Sequence, residues 1–238
     1  MTSIIILTYN QLEYTKACID AIIKNTYNYY EIIVVDNASQ DGTADWLKEH
    51  ARRITKVILN AENKGVPAGW NQGLEAANPD SDYYMMLNND VIVSDDWLSK
   101  LINCANINEQ VGAVGPLTNK ISGPQLDSFY YHNAKNLHTY FWRLVGFCLL
   151  IKADVVKKVG KFDGQFGRGN YEDDDYCLRM IEAGYKNMIC GDCHVHHFGS
   201  RSWQGNELNE QLQKNKKLFD AKWGDKKEAL INKNNEGV

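Results

Sequence analysis

Long apolar runs are missing from this 238-residue chain. Its apolar stretches, Ser3–Leu7, Ile32–Val35 and Phe147–Ile151, fall far short of the ~20 residues that cross a bilayer as a helix, so no transmembrane segment is expected. Met1-Thr2-Ser3 leads straight into the first apolar stretch without a basic flank or a cleavage signature. Nothing there marks export, and a cytoplasmic location is expected. Neither sign of charge dominates: 26 Lys and Arg face 30 Asp and Glu, a formal net of −4. That near balance excludes broad electrostatic binding to nucleic acid or to an anionic membrane, but leaves peripheral membrane contact and a local anionic ligand open. Prolines number four, and no low-complexity segment breaks the chain, so disorder is not expected ahead of the C-terminal tail. The six cysteines lie in apolar or periodic stretches and read as reduced core residues, not a disulfide framework.

The first hundred residues alternate between two periods. Ser3–Thr8, Glu31–Asp36, Lys56–Leu59 and Tyr83–Leu87 are apolar runs of strand length. Helical spacing lies between them, after Asn10, over Thr43–Ala51 and over Pro67–Ala77. Asn10 with Glu13 resembles a capping box opening the first helix. Such alternation predicts βαβ units, hence an α/β fold with a mainly parallel mixed central sheet. The second half is less regular. A helix is expected over Asp95–Ile107, strands at Val111–Val114 and Leu144–Ile151, a helix over Ala153–Val159, and a glycine-rich loop over Phe162–Asn170. A helix over Glu172–Ala183, short strands at Lys186–Ile189 and His194–Phe198, and a closing helix over Glu207–Trp223 follow. Residues 117–140 lack periodicity, as functional loops do. The spacing therefore predicts one αβα domain over 1–224, with halves 1–116 and 117–224, and a polar tail or linker from 225 to 238.

Candidate chemistry gathers where strands end. In an open parallel sheet, ligands collect beyond the C-terminal strand ends. Here these ends read Thr8-Tyr9-Asn10, Asp36-Asn37 and Asn88-Asn89-Asp90. Each such residue also terminates strands or caps helices, and it is the convergence of three that favours a site. Asn63-Lys64-Gly65 and Gly69-Trp70-Asn71-Gln72-Gly73 resemble a phosphate loop but match no standard spacing. Their glycines are expected to let backbone approach a ligand, with the Asn63 and Asn71 amides contributing.

Glu172-Asp173-Asp174-Asp175 puts four acids at a helix start. Two would serve the helix dipole. Four crowd one another and raise the proton affinity of the least solvated, which suits a general base. Cys190-Gly191-Asp192-Cys193-His194-Val195-His196-His197 admits three readings: a haem attachment string, a structural zinc site using Cys190, Cys193 and a histidine, or a strand. In a strand, His194 and His196 share one face and His197 takes the other, and one of these imidazoles meets a metal together with Asp90.

Taken in order, Thr8-Tyr9-Asn10, Val34–Thr43 with Asp36-Asn37-Ala38-Ser39 and Asp41-Gly42, Asn63-x-Gly65, Asn71-x-Gly73 and Leu87-Asn88-Asn89-Asp90 resemble the donor half of family-2 glycosyltransferases. Gly146-Phe147-Cys148, Val159-Gly160-x-Phe162-Asp163, Glu172-Asp173-x-Asp175 and His196 to Ser200 resemble the downstream half, most closely that of the rhamnosyltransferase-like members. The resemblance implies a GT-A fold and an inverting transfer from a UDP- or dTDP-sugar to a hydroxyl on a saccharide, a lipid-linked glycan or a protein, as in cell-surface glycan or glycoprotein synthesis. It implies that Asp36 meets the pyrimidine N3–H with Thr8 and Tyr9 lining the base. Asp90 and His196 are then expected on a divalent cation, Mn²⁺ or Mg²⁺, and Asp173 beside Glu172 as catalytic base. One departure is that the usual acid-x-acid motif begins here with Asn88. With Asp90 as its one carboxylate, a hard cation is expected to bind weakly unless the donor diphosphate helps hold it.

Two other readings compete. A nucleotidyltransferase wants a glycine-rich loop with Arg or Lys after the first strand, where Thr8-Tyr9-Asn10-Gln11 stands instead. A non-catalytic nucleotide-sugar-binding module has no need of Asp36, Asp90 and Asp173 together.

Overall fold

The strand β1 (Thr2–Thr8) lies at the centre of the donor half because both its faces are apolar: Ile4 and Ile6 point into one layer and Ile5 into the other, all fully buried. The computed structural model describes residues 1–133, 137–199 and 206–235. In chain order β1 is followed by α1 (Leu12–Asn25), β2 (Tyr30–Asp36), α2 (Thr43–Glu49), β3 (Lys56–Leu59), α3 (Val66–Ala76), β4 (Tyr83–Asn88), β5 (Val91–Val93) and α4 (Trp97–Ala105). Then come β6 (Val111–Leu117), α5 (Asp127–Asn133), β7 (His138–Tyr140), β8 (Cys148–Lys152), α6 (Ala153–Val159), α7 (Glu172–Glu182), β9 (Lys186–His197), α8 (Asn206–Trp223) and α9 (Lys227–Asn235).

Nine strands form one mixed sheet in the order β3-β2-β1-β4-β8-β6-β9-β5, with β7 also on β9. Parallel pairing runs through β3, β2, β1 and β4 and recurs between β6 and β9. The insertion of β8 between β4 and β6 is antiparallel on both sides. One core layer lies under α1, α2 and α4, with Cys18, Ile22, Leu47 and Leu101. The other lies under α3 and α7, with Trp70, Met86, Leu149 and Tyr176. A third cluster, Phe166, Leu178, Ile181, Phe219 and Trp223, docks α8. All six cysteines are buried free thiols. Among the described residues no helix is long and apolar enough to cross a membrane.

Four expectations need correction. Asn10 does not cap α1: Gln11 takes that position in the left-handed region without a side-chain cap. The last two short strands are one twelve-residue strand, β9, whose pairing with β6 shifts register at Pro116/Leu117 and so absorbs the Cys190–Cys193 segment. The aperiodic stretch 117–140 holds α5 and β7. The polar tail holds α9, anchored by buried Asn234, whose Oδ1 accepts the Asn187 N–H at 3.0 Å.

Candidate active site

The ends of β1, β2 and β4 are laced together before any ligand is considered. Asn10 and Gln11 are both left-handed, which turns the chain sharply after β1. The Asn10 N–H donates to Ser39 Oγ at 2.6 Å, and its side-chain oxygen accepts the Gln40 N–H at 2.7 Å. Asp36, buried at the end of β2, accepts the Ser39 N–H at 3.0 Å and the Ser39 hydroxyl. Burial raises its pKa above the ordinary value, and the Ser39 bonds oppose that rise. The Ala38 N–H also bonds this carboxylate, and of its about four lone-pair sites roughly one remains for a ligand N–H. Tyr9 is half-buried beside this turn.

Several residues expected to touch a ligand also hold the scaffold. Asn89 Nδ2 donates to Thr8 Oγ1 at 3.0 Å and to Thr15 Oγ1 at 2.9 Å, pinning β4 to β1 and α1. Asn71 is spent on the Phe162 backbone, donating to its carbonyl and accepting its N–H, both at 2.9 Å. Asn63 Oδ1 accepts the Gly65 N–H at 2.9 Å and shapes the turn into α3. A Cβ on Gly69 would lie 2.3 Å from Leu7 Cδ1, and one on Gly73 2.2 Å from Ile5 Cγ2. Those two glycines close α3 onto β1; ligand approach is not their role. Gly65 does face a loop: a Cβ there would stand 2.1 Å from the Gly167 carbonyl oxygen, so the glycine-rich loop rests on the turn before α3.

At the end of β4, the Asn88 N–H donates to the Phe147 carbonyl at 2.9 Å. Two residues further, buried Asp90 faces a histidine, and it is His197. His197 Nε2 stands 3.3 Å from Asp90 Oδ1, and its ring stacks on Phe147 with centroids 5.0 Å apart. Nδ1 lies 2.9 Å from the Lys120 carbonyl, an acceptor only, so Nδ1 carries a proton, and in the neutral imidazole Nε2 is left with a lone pair. Among the described residues buried Nε2 has no hydrogen-bond partner. A carboxylate oxygen and a lone pair face each other there, an arrangement that a cation satisfies. His196 is a correction: it is exposed and packs edge-on against Phe198, because strand alternation turns it away from Asp90. The cue was legible, since Cys193, Val195 and His197 share one parity and the first two are apolar. Ser200 lies outside the described residues.

The acidic helix start divides into two tasks. Asp175 is structural: it meets Arg179 Nε at 2.9 Å, Lys222 Nζ at 2.7 Å and Trp223 Nε1 at 2.8 Å, which ties α7 to α8. Asp174 lies 2.6 Å from Arg143 Nε. Burial and the neighbouring Asp173 nevertheless push its pKa up to about 7. Glu172 is buried with Oε2 unpartnered, and burial followed by the Asp173 charge raises its pKa well above the carboxylate range. Among the described residues Asp173 is held by backbone: Oδ2 accepts the Gly146 N–H and Oδ1 the Asp174 N–H, both at 2.9 Å. Gly146 and Phe147 thus connect Asp173, the end of β4 and the His197 ring. Neither Arg143 nor Gly146 was singled out from sequence as a partner of this acid.

Known proteins resemble this chain in sequence and fold. Residues 3–159 fit the family described as Glycosyl transferase family 2, and the chain belongs to that family. Glycosyltransferase AglE of Haloferax volcanii is 28% identical over 208 residues, covering 81% of this chain and 66% of its own length. A crystal structure of GalNAc-T7 with UDP, GalNAc and Mn²⁺ superposes with a TM-score of 0.71 at 15% identity, covering 87% of this chain and 45% of that one. The mannosyltransferase PcManGT of Pyrobaculum calidifontis, in complex with GDP-Man and Mn²⁺, gives 0.67 at 19% identity, covering 84% and 57%. The fold is therefore GT-A-like, and this chain spans less than two thirds of the length of each of these relatives.

Proposed function

We propose that the chain is an inverting glycosyltransferase that takes sugar from a UDP- or dTDP-sugar and delivers it to a hydroxyl acceptor. One observation carries this reading: the Gly146 N–H and the Phe147 ring join a buried acid, Asp173, to the Asp90–His197 pair at the ends of the N-terminal strands. Asp36 accepts the pyrimidine N3–H while Thr8, Asn10 and Asn89 keep the rim of the base site rigid. Asp90 and His197 hold a divalent cation, Mn²⁺ or Mg²⁺, which supplies positive charge to the diphosphate. The unpartnered Nε2 supports that donor set, as does Mn²⁺ in the GalNAc-T7 and PcManGT structures. Asp173 takes the acceptor hydroxyl proton as that oxygen bonds to the anomeric carbon from the face opposite the diphosphate. The bond to the diphosphate breaks, the leaving group keeps the electron pair, and configuration inverts. The single carboxylate of Asn88-Asn89-Asp90 supports the rhamnosyltransferase-like assignment.

Calorimetric titration with UDP and with dTDP, each with and without Mn²⁺, tests the site, and a panel of nucleotide sugars assayed for metal-dependent hydrolysis identifies the donor. Binding is expected to tighten with Mn²⁺ in the wild type and to lose that dependence in His197→Ala. Failure of both nucleotides to bind contradicts the proposal and favours a non-catalytic module.

A further inference from the structure

Away from the strand ends, three sulfur and nitrogen donors converge from elements distant in sequence. Cys104 ends α4, His138 opens β7 and Cys190 lies in β9, and one ligand atom from each falls within 4.8 Å of the other two. Both cysteines are buried and His138 is half-buried. The β7–β9 register sets His138 directly opposite Cys190. The Gly191 N–H donates to His138 Nδ1 at 3.3 Å, a long bond that ligation through Nδ1 would replace. Backbones approach closely here, since a Cβ on Gly191 would lie 1.9 Å from the Leu137 carbonyl oxygen. Exposed Asp192 lies beside the group, its Oδ1 3.0 Å from Cys190 Sγ, but it is not one of the three mutually close donors.

We propose that Cys104, His138 and Cys190 bind a zinc ion, with water in the fourth position. Two thiols and an imidazole form a soft donor set that selects zinc over Mg²⁺ or Mn²⁺, whereas Asp90 and His197 offer no sulfur. Binding converts two thiols to thiolates and releases two protons to solvent, with no change of oxidation state. The ligands differ from the Cys190–Cys193 pairing that their spacing brings to mind, because the Cys193 thiol turns inward to the Trp97 carbonyl at 3.6 Å. The ion staples the three-residue β7 and the end of α4 to β9, the strand that carries His197 at its other end. The site is independent of the transferase reading.

The test is titration of the purified, reduced protein with Co²⁺, read as thiolate-to-cobalt charge-transfer absorption, together with elemental analysis of zinc after gel filtration. One zinc per chain and a saturating cobalt band are expected. Both are to be lost in Cys104→Ala and Cys190→Ala and kept in Cys193→Ala. Wild-type protein that retains no zinc and gives no cobalt–thiolate band overturns the proposal, whatever the variants do. A Cys104–Cys190 disulfide in the intact mass of protein prepared without reductant, with no zinc taken up after reduction, also overturns it.

Discussion

Replacing Gly65 by alanine probes the contact between the donor-half turn and the glycine-rich loop. Gly65 has φ +83° and ψ 176°, a region that side chains avoid, and forcing a residue there costs about 1–3 kcal/mol. The added Cβ would also stand 2.1 Å from the Gly167 carbonyl oxygen and 2.9 Å from Arg168 Cα. These are backbone atoms and cannot rotate aside, so overpacking adds roughly 1–3 kcal/mol. A total near ~4 kcal/mol lowers Tm by about 8–16 °C in a chain of this size. Gly164→Ala is the control: nothing lies within 4 Å of its Cβ, and a change within ~0.5 kcal/mol is expected. Thermal unfolding followed by circular dichroism reads both, and calorimetry reads the weakened UDP binding expected of Gly65→Ala alone. Equal Tm values for the two variants refute the loop contact as described.

Three further outcomes follow from the same geometry. Asn71→Ala removes both bonds to the Phe162 backbone and should cost roughly 1–3 kcal/mol in urea unfolding; an unchanged midpoint contradicts the strap. Asp175→Asn leaves Arg179 and Lys222 without their shared carboxylate and should cost roughly 2–4 kcal/mol, less than full breakage of a buried pair because Lys222 is a third exposed. If Asp175 were catalytic, the loss would fall on turnover with stability intact. Asp174 holds its proton up to about pH 7 when folded and releases it near ~4 when unfolded. Between those values the folded state binds more protons, so this residue's contribution to stability falls as pH rises. Asp174→Asn should flatten the urea-unfolding profile between about pH 5 and about pH 7.5; an unchanged slope contradicts the assignment.

The donor half was legible because its signals are local and redundant. Ile4–Ile6, Ile32–Val35 and Met85–Leu87 are continuous apolar runs, and a strand buried on both faces has no other composition. The polar residues beyond them gather at one edge as expected, and the structure adds the scaffold bonds that several of them make. An asparagine reads the same whether its amide serves a ligand or a neighbouring backbone, and Asn71 and Asn89 serve the scaffold. The three residues of β5 are too few to show a period. The unity of β9 was hidden by Gly191 and Asp192, where a register shift spares the strand from ending. α9 was missed because it docks through Leu230, Asn234 and Lys227, whose ammonium lies over Trp142, and not through an apolar stripe. That His197 and not His196 faces Asp90 is a matter of phase, one residue moving an imidazole to the other face of the sheet.

The most direct measurement is donor binding set beside sugar transfer in Asp173→Asn. Asparagine keeps an acceptor for the Gly146 N–H at 2.9 Å but takes no proton from an acceptor hydroxyl. Nucleotide-sugar affinity with Mn²⁺ should stay within about twofold of wild type while transfer falls by roughly 10²–10⁴-fold, the share of a general base. Transfer at the wild-type rate, or a loss that merely follows lost donor binding, would contradict Asp173 as the catalytic base.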